Sequence, residues 1–170
     1  TGYRQYIDTG SYIDLFLLSE LTKEIDAYAV STFAFKDRLG KFNMGPLWDI
    51  NGGFGHMNFM QGTETTGWQV NLRGGPHPDG YRSLRADFEY ELEMWDRWFS
   101  LRENVWSTEK LLIDIDYWAA YLDESQQRNF QRWPVLDEYV LVWGLGNAYV
   151  VDTYGEEIDD HMKPWLAARA

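Results

Sequence analysis

Residues 11–22, SYIDLFLLSELT, constrain the fold more than any other stretch. Tyr12, Ile13, Leu15, Phe16, Leu17, Leu18 and Leu21 would make a helix apolar on nearly every side. Such a helix has to sit inside the molecule, with other elements packed around it. Ser11 is its expected N-cap, with Asp14 three residues on as a variant capping box. The polar break Thr22-Lys23-Glu24 then leads to Asp26.

Beyond Asp26 the chain reads as a β-hairpin. Residues 30–36 and 41–48 are rich in β-branched and aromatic side chains, and Asp37-Arg38-Leu39-Gly40 supplies a short turn whose glycine can take positive φ. Pro46 makes the second strand an edge or ends it nearby. Residues 51–80 form a loop with eight glycines, Gly52, Gly53, Gly55, Gly62, Gly67, Gly74, Gly75 and Gly80, and with Pro76 and Pro78. Loops of this length within a domain are usually functional or mobile.

The C-terminal half reads as helical. Leu84, Phe88, Leu92, Trp95 and Phe99 recur at helical spacing, as do Leu111, Leu112, Ile115, Trp118, Ala119 and Leu122 behind a Ser107 N-cap. Pro134 ends that run, and a last amphipathic segment covers residues 156–168. The expected fold class is α+β, mostly helical, as a single domain over residues 1–170.

Composition narrows the partners. Twenty-seven acidic against 15 basic residues give a net charge of −12. That repels nucleic acid and anionic lipid, and a bound nucleotide would need a divalent cation to screen it. Cysteine is absent, which excludes disulfide scaffolds and thiolate metal sites, and no apolar run reaches the length of a membrane span. There is no targeting segment, and the abrupt start suggests an excised piece of a longer chain. Nine tryptophans imply either a Trp-rich core or a face of exposed rings suited to sugars.

Two aspartates flank the hairpin in different settings. Asp49, in WDINGGFG, ends an apolar strand-like run. On an extended segment it would point the same way as Asn51, so the two can ligate one hard cation, while the glycines allow backbone to approach a ligand. An Asx-turn closing the strand explains Asp49 equally well. Asp26 follows the buried helix and can serve as a general base, or as a helix-end aspartate satisfied by local amides. A helix, a loop aspartate, a hairpin and a second aspartate before glycine repeat the plan of protein kinases.

The segments SELTKEIDAYAVSTF at 19–33, GKFNMGPLWDINGGFG at 40–55, RWFSLR at 97–102 and QQRNFQRWP at 126–134 resemble the C-terminal half of the CotH family, atypical kinases similar to spore coat protein H. The resemblance runs from about Tyr6 to the end. It implies the C-terminal lobe of a protein-kinase-like fold, with the hairpin between catalytic and metal loops, acting with ATP and Mg²⁺ or Mn²⁺ on protein serine. Asp26 then falls at the catalytic-loop aspartate and Asp49 at the principal metal ligand, with Asn51 and Glu24 completing the metal shell and Lys23 and Asn51 contacting the nucleotide. Two departures stand out: Glu24 occupies a place that is often Asn, and Asn51 replaces the second acid of a W-D-x-D pattern.

A glycine-rich lid and an N-terminal-lobe lysine are not in this chain, so the expectation is a lobe that needs the preceding part of its parent and is inactive alone. The implied partner is a spore-coat or surface protein substrate, at a spore coat or bacterial cell exterior. A non-catalytic pseudokinase or scaffold is the alternative, as is a carbohydrate-associated module. His56, His77 and His161 show no ligand spacing, and Arg97, Arg102, Arg128 and Arg132 are expected to pair with acids or pack on rings. Tyr28 and Trp48 are expected to pack the hairpin.

Overall fold

The computed structural model describes residues 2–72, 74–142 and 145–170; Trp143 and the side chain of His77 lie outside the described residues. The protein is mostly helical with two short antiparallel hairpins, an α+β arrangement. In chain order the main elements are α1 (Thr9–Thr22), β1 (Ala34–Lys36), β2 (Phe42–Met44), α2 (Pro76–Arg85), α3 (Phe88–Arg102), α4 (Thr108–Tyr121) and α5 (Asp123–Arg132). They are followed by β3 (Leu141–Val142), β4 (Leu145–Gly146), α6 (Tyr154–Glu156), a π turn (Glu157–Met162) and α7 (Lys163–Arg169).

Helix α1 is interior, as its composition requires. Ile13, Phe16, Leu17, Ser19, Glu20, Leu21 and Thr22 are buried, while Asp14 reaches solvent and pairs with Arg97. Its N-cap is Asp8, not Ser11: the Asp8 carboxylate accepts from the Ser11 amide at 2.8 Å. Ser11 serves the hairpin instead, because its hydroxyl accepts from the Met44 amide at 3.0 Å while donating to Asp8 O. The Asp8 and Phe42 amides donate to Phe42 O and Tyr6 O, so β2 is stitched to the start of α1.

The hairpin is shorter than its β-rich sequence suggests, pairing only Ala34 with Met44, Phe35 with Asn43 and Lys36 with Phe42. Leu39 rather than Gly40 adopts the left-handed conformation in its turn, at φ 65°. Strand β2 ends before the cis Gly45–Pro46 peptide.

Packing centres on an aromatic cluster. Phe16 lies 5.7 Å from Trp68, 5.5 Å from Tyr81 and 6.1 Å from Tyr28, with Tyr28 and Tyr81 edge-on at 5.1 Å. Arg85 caps it, its guanidinium 4.7 Å from the Trp68 ring centre and bound to Glu91. Tyr90, Met94 and Leu101 of α3 complete the core. Tyr28 therefore packs the core rather than the hairpin; Trp48 does pack there, edge-on to Phe33 at 5.9 Å.

The recurrent apolar stripe of α3 faces outward in part: Phe88, Leu92 and Phe99 are 80%, 50% and 58% exposed. The tryptophans divide likewise. Trp68, Trp95, Trp98 and Trp106 pack on the core, whereas Trp48, Trp118 and Trp133 are exposed. The four arginines find the partners expected of them: Arg97 with Asp14, Arg128 with Glu124, Arg102 over Trp98 and Arg132 over Trp133.

Glu20 ties these parts together. Its buried carboxylate accepts from the Gln69 amide at 2.6 Å, the Val70 amide at 2.8 Å and the Tyr28 hydroxyl at 2.9 Å. Arg169, at the end of α7, lies 3.7 Å from the same carboxylate and donates to Glu20 O, Thr65 O and Gly67 O. Removing one partner of a buried charged network strands the others without hydrogen bonds. Glu20→Ala is expected to lower unfolding free energy by about 3 kcal/mol or more. Urea denaturation checks this; a loss below about 1 kcal/mol would show that the carboxylate is dispensable.

Candidate functional site: two loops closed on each other

The first loop starts where α1 ends. Lys23 takes the left-handed conformation at φ 51° as C-cap, and Glu24 N donates to Ser19 O. Asp26 follows in a tight turn, half-buried. Its amide donates to Glu24 Oε1 at 3.0 Å, and its carbonyl accepts from Ala29 N and Val30 N at 3.1 and 3.2 Å. Tyr28 sits at φ 65°, its ring in the core and its hydroxyl on Glu20. The turn carrying Asp26 is thus anchored from beneath.

The second loop departs from the strand geometry its sequence suggests. Asp49 lies five residues beyond β2, in the left-handed region at φ 55° and ψ 54°, and caps a 3₁₀ turn over Ile50–Gly52. The i, i+2 alternation of an extended segment therefore does not align Asp49 with Asn51. Both are exposed. Among the described residues no three His, Asp or Glu side chains converge as a metal-binding group.

The glycines between the loops do something other than face a ligand. A Cβ on Gly52 would come within 2.7 Å of Glu24 Oε1 and of Ile25 Cγ1, and one on Gly53 within 2.7 Å of Thr22 O. Phe54 N donates to Thr22 O at 2.8 Å. The chain after Asp49 therefore lies directly on the chain before Asp26, a separation no side chain would permit.

Glu24 is the buried acid at this junction. Burial raises its carboxyl pKa to about 7, against the amides of Asp26 and Gly52, with the Asp26 and Asp49 charges adding to the rise. Its Oε1 holds the Asp26 amide, and its Oε2 is buried with no hydrogen-bond partner among the described residues. Glu24 thus lies within electrostatic reach of both aspartates, brought together by the fold from positions 26 and 49.

Lys23 does not reach solvent. Its ammonium is buried and donates to Glu64 O and Thr66 O, each at 2.7 Å. Arg169 takes Thr65 O and Gly67 O, and Trp165 Nε1 takes Thr63 O at 2.9 Å. The glycine-rich stretch is thus strapped by its carbonyls. It is not one continuous loop either: 3₁₀ turns form at Ile50–Gly52 and Gln69–Asn71, and α2 starts at Pro76.

The second loop also meets a stretch between Pro134 and residue 156 to which the sequence assigned no specific helix: Asn58 N donates to Gly146 O and Ala148 N to His56 O. His56 Nδ1 lies 3.6 Å from Glu157 Oε1, which also accepts from the Tyr149 hydroxyl at 2.8 Å. His161 stacks on Tyr149 at 3.8 Å. No local signal pointed to this group, because His56 is about a hundred residues from Tyr149, Glu157 and His161.

The two-loop geometry has a counterpart in sequence. The family model described as CotH kinase protein matches residues 1–170. The chain belongs to the CotH kinase family. No curated protein and no solved structure matches it at a significant level. The CotH family is associated with spore coats, and its kinase character implies use of ATP and a divalent metal and action on protein. Among the described residues, no helix is long and apolar enough to cross a membrane.

Because its carboxyl titrates higher in the folded than in the unfolded chain, Glu24 holds a proton that unfolding releases. Its contribution is present at acid pH and is lost as pH rises from about 4.5 through about 7. Relative to Glu24→Gln, the wild type is expected to lose up to about 3 kcal/mol across that window. Urea melts in EDTA at pH 5 and pH 8 measure the difference; parallel pH profiles for the two proteins would refute it.

Proposed function

We propose that this chain supplies the catalytic loop and metal loop of a protein serine kinase that uses ATP and Mg²⁺ or Mn²⁺. The observation that carries the proposal is the contact between the loops: Gly52 and Gly53 against Glu24, Ile25 and Thr22, with Glu24 sensing both Asp26 and Asp49. Family membership over the whole length supports it.

Asp26 orients the acceptor serine hydroxyl and takes its proton. Its backbone is fixed by Glu24 and by the amides that close the turn, so the carboxylate has a defined origin. Asp49 would be the principal metal ligand, and Asn51, exposed in the 3₁₀ turn that follows, would have to swing toward it to be the second. One carboxylate and one amide oxygen suit Mg²⁺, which keeps waters and takes remaining oxygens from phosphate. The bound cation would neutralise charge on the phosphates as the phosphoryl group transfers.

Glu24 and Lys23 receive different parts from those the family pattern suggested. Glu24, buried and bonded to loop amides, braces the two loops. Lys23, occupied by two carbonyls, holds the strap instead of meeting nucleotide. The acceptor is a protein of the spore coat or the bacterial cell exterior.

Asp49→Ala in the full-length protein is expected to reduce Mg²⁺-dependent incorporation of labelled phosphate by at least about a thousandfold, with the fold retained because Asp49 is exposed. Activity within tenfold of wild type would remove Asp49 from this role. Wild-type protein that transfers no phosphate over a range of protein acceptors would favour a pseudokinase scaffold.

A further inference from the structure

Beside the metal loop lies a cavity of about 700 Å³ of which the proposed phosphoryl-transfer roles use only Asn51, at one wall. Ile50 and Asn51, immediately after Asp49, form one wall. Phe54, Phe130, Leu136, Val140 and Met162 make the interior apolar. Its acidic groups are Glu138, exposed, and Glu157, held by the Tyr149 hydroxyl. His56 lines it too, 3.6 Å from Glu157, and no lysine or arginine of the described residues does.

This composition selects a ligand. A phosphate-bearing group without its metal would meet two carboxylates and no lysine or arginine, within a chain of net charge −12. An apolar side chain would be desolvated by the aromatic and aliphatic walls, and a cationic neighbour would be attracted to Glu138 and Glu157. The walls come from the loop after Asp49, from Phe130 of α5, from lining residues between Val135 and Val151, and from α6 with the π turn that follows it. Glu157 and Met162, five residues apart, both reach the cavity from a π turn, a local irregularity that recurs at functional sites.

We propose that this cavity is a subsite for the protein acceptor. It takes an apolar side chain adjoining a basic residue and so holds the acceptor segment beside the metal loop. The assignment rests on the kinase reading for the word acceptor; the recognition itself depends only on the cavity. Val140 and Glu138 determine its specificity, one through the apolar wall and the other through charge.

The test uses the full-length protein and three fluorescein-labelled peptides, each with one serine. They carry, a few residues beyond it, a leucine–arginine pair, a leucine–glutamate pair or a glycine–arginine pair. Anisotropy in EDTA without nucleotide is expected to show the leucine–arginine peptide binding at least about tenfold tighter than the other two. Val140→Arg, at an exposed wall position, is expected to abolish that preference while leaving the thermal melt unchanged. Glu138→Lys is expected to transfer the preference to the leucine–glutamate peptide, an outcome that misfolding would not produce. Equal affinities for all three peptides, or displacement of the bound peptide by metal-free ADP, would overturn the proposal. Selective binding without phosphotransfer in the wild type would overturn the kinase reading and leave the cavity's specificity standing.

Discussion

The arrangement depends on a carboxylate buried where a carboxylate is costly. Glu20 lies in the last turns of an otherwise apolar helix, and burial pushes its pKa up against the opposing pull of two amides, a phenol and Arg169. Those partners belong to the Asp26 turn, the Gln69–Asn71 turn and the end of α7. One residue therefore holds three distant parts of the chain against α1. Each alternative packing leaves at least one buried donor unmet, which makes the network a stronger determinant of geometry than of net stability.

From that anchor the site is built by close approach. Tyr28 sets the Asp26 turn on the core, and the Thr22 carbonyl receives Phe54 N from the loop after Asp49. Gly52 and Gly53 allow this contact because nothing projects between the backbones. The stitching of β2 to the start of α1 controls where the hairpin returns, and with it the place of Asp49. Lys23, Arg169 and Trp165 then close the Thr63–Gly67 carbonyls over the opposite side of the junction.

Periodicity and capping chemistry made the helices readable. Ser107 caps α4 through the Lys110 amide, and Pro134 comes just after the end of α5. Failures arose where a long-range partner outweighed a local preference. Asp8 displaced Ser11 as cap because Ser11 is drawn to Met44. The stripe Phe88, Leu92 and Phe99 has helical spacing, yet the helix buries Tyr90, Met94 and Leu101, since periodicity identifies a face without saying which way it turns. The docking of Gly146 and Ala148 on residues 56–58 had no local signature, because the Asn58 N to Gly146 O and Ala148 N to His56 O bonds join positions about ninety residues apart.

The sequence by itself determined the buried helix, the order helix–aspartate–hairpin–aspartate–glycine, and family membership across residues 1–170. These come from side-chain spacing and residue type, which are local properties. Tertiary structure alone decided that Asp49 sits in a left-handed turn, that Glu24 is a buried brace and that Lys23 is tied to two carbonyls. It also decided that the loop after Asp49 borders an apolar cavity carrying two glutamates. Burial and charge environment depend on which distant residues come to lie alongside, and no local pattern of residues encodes that.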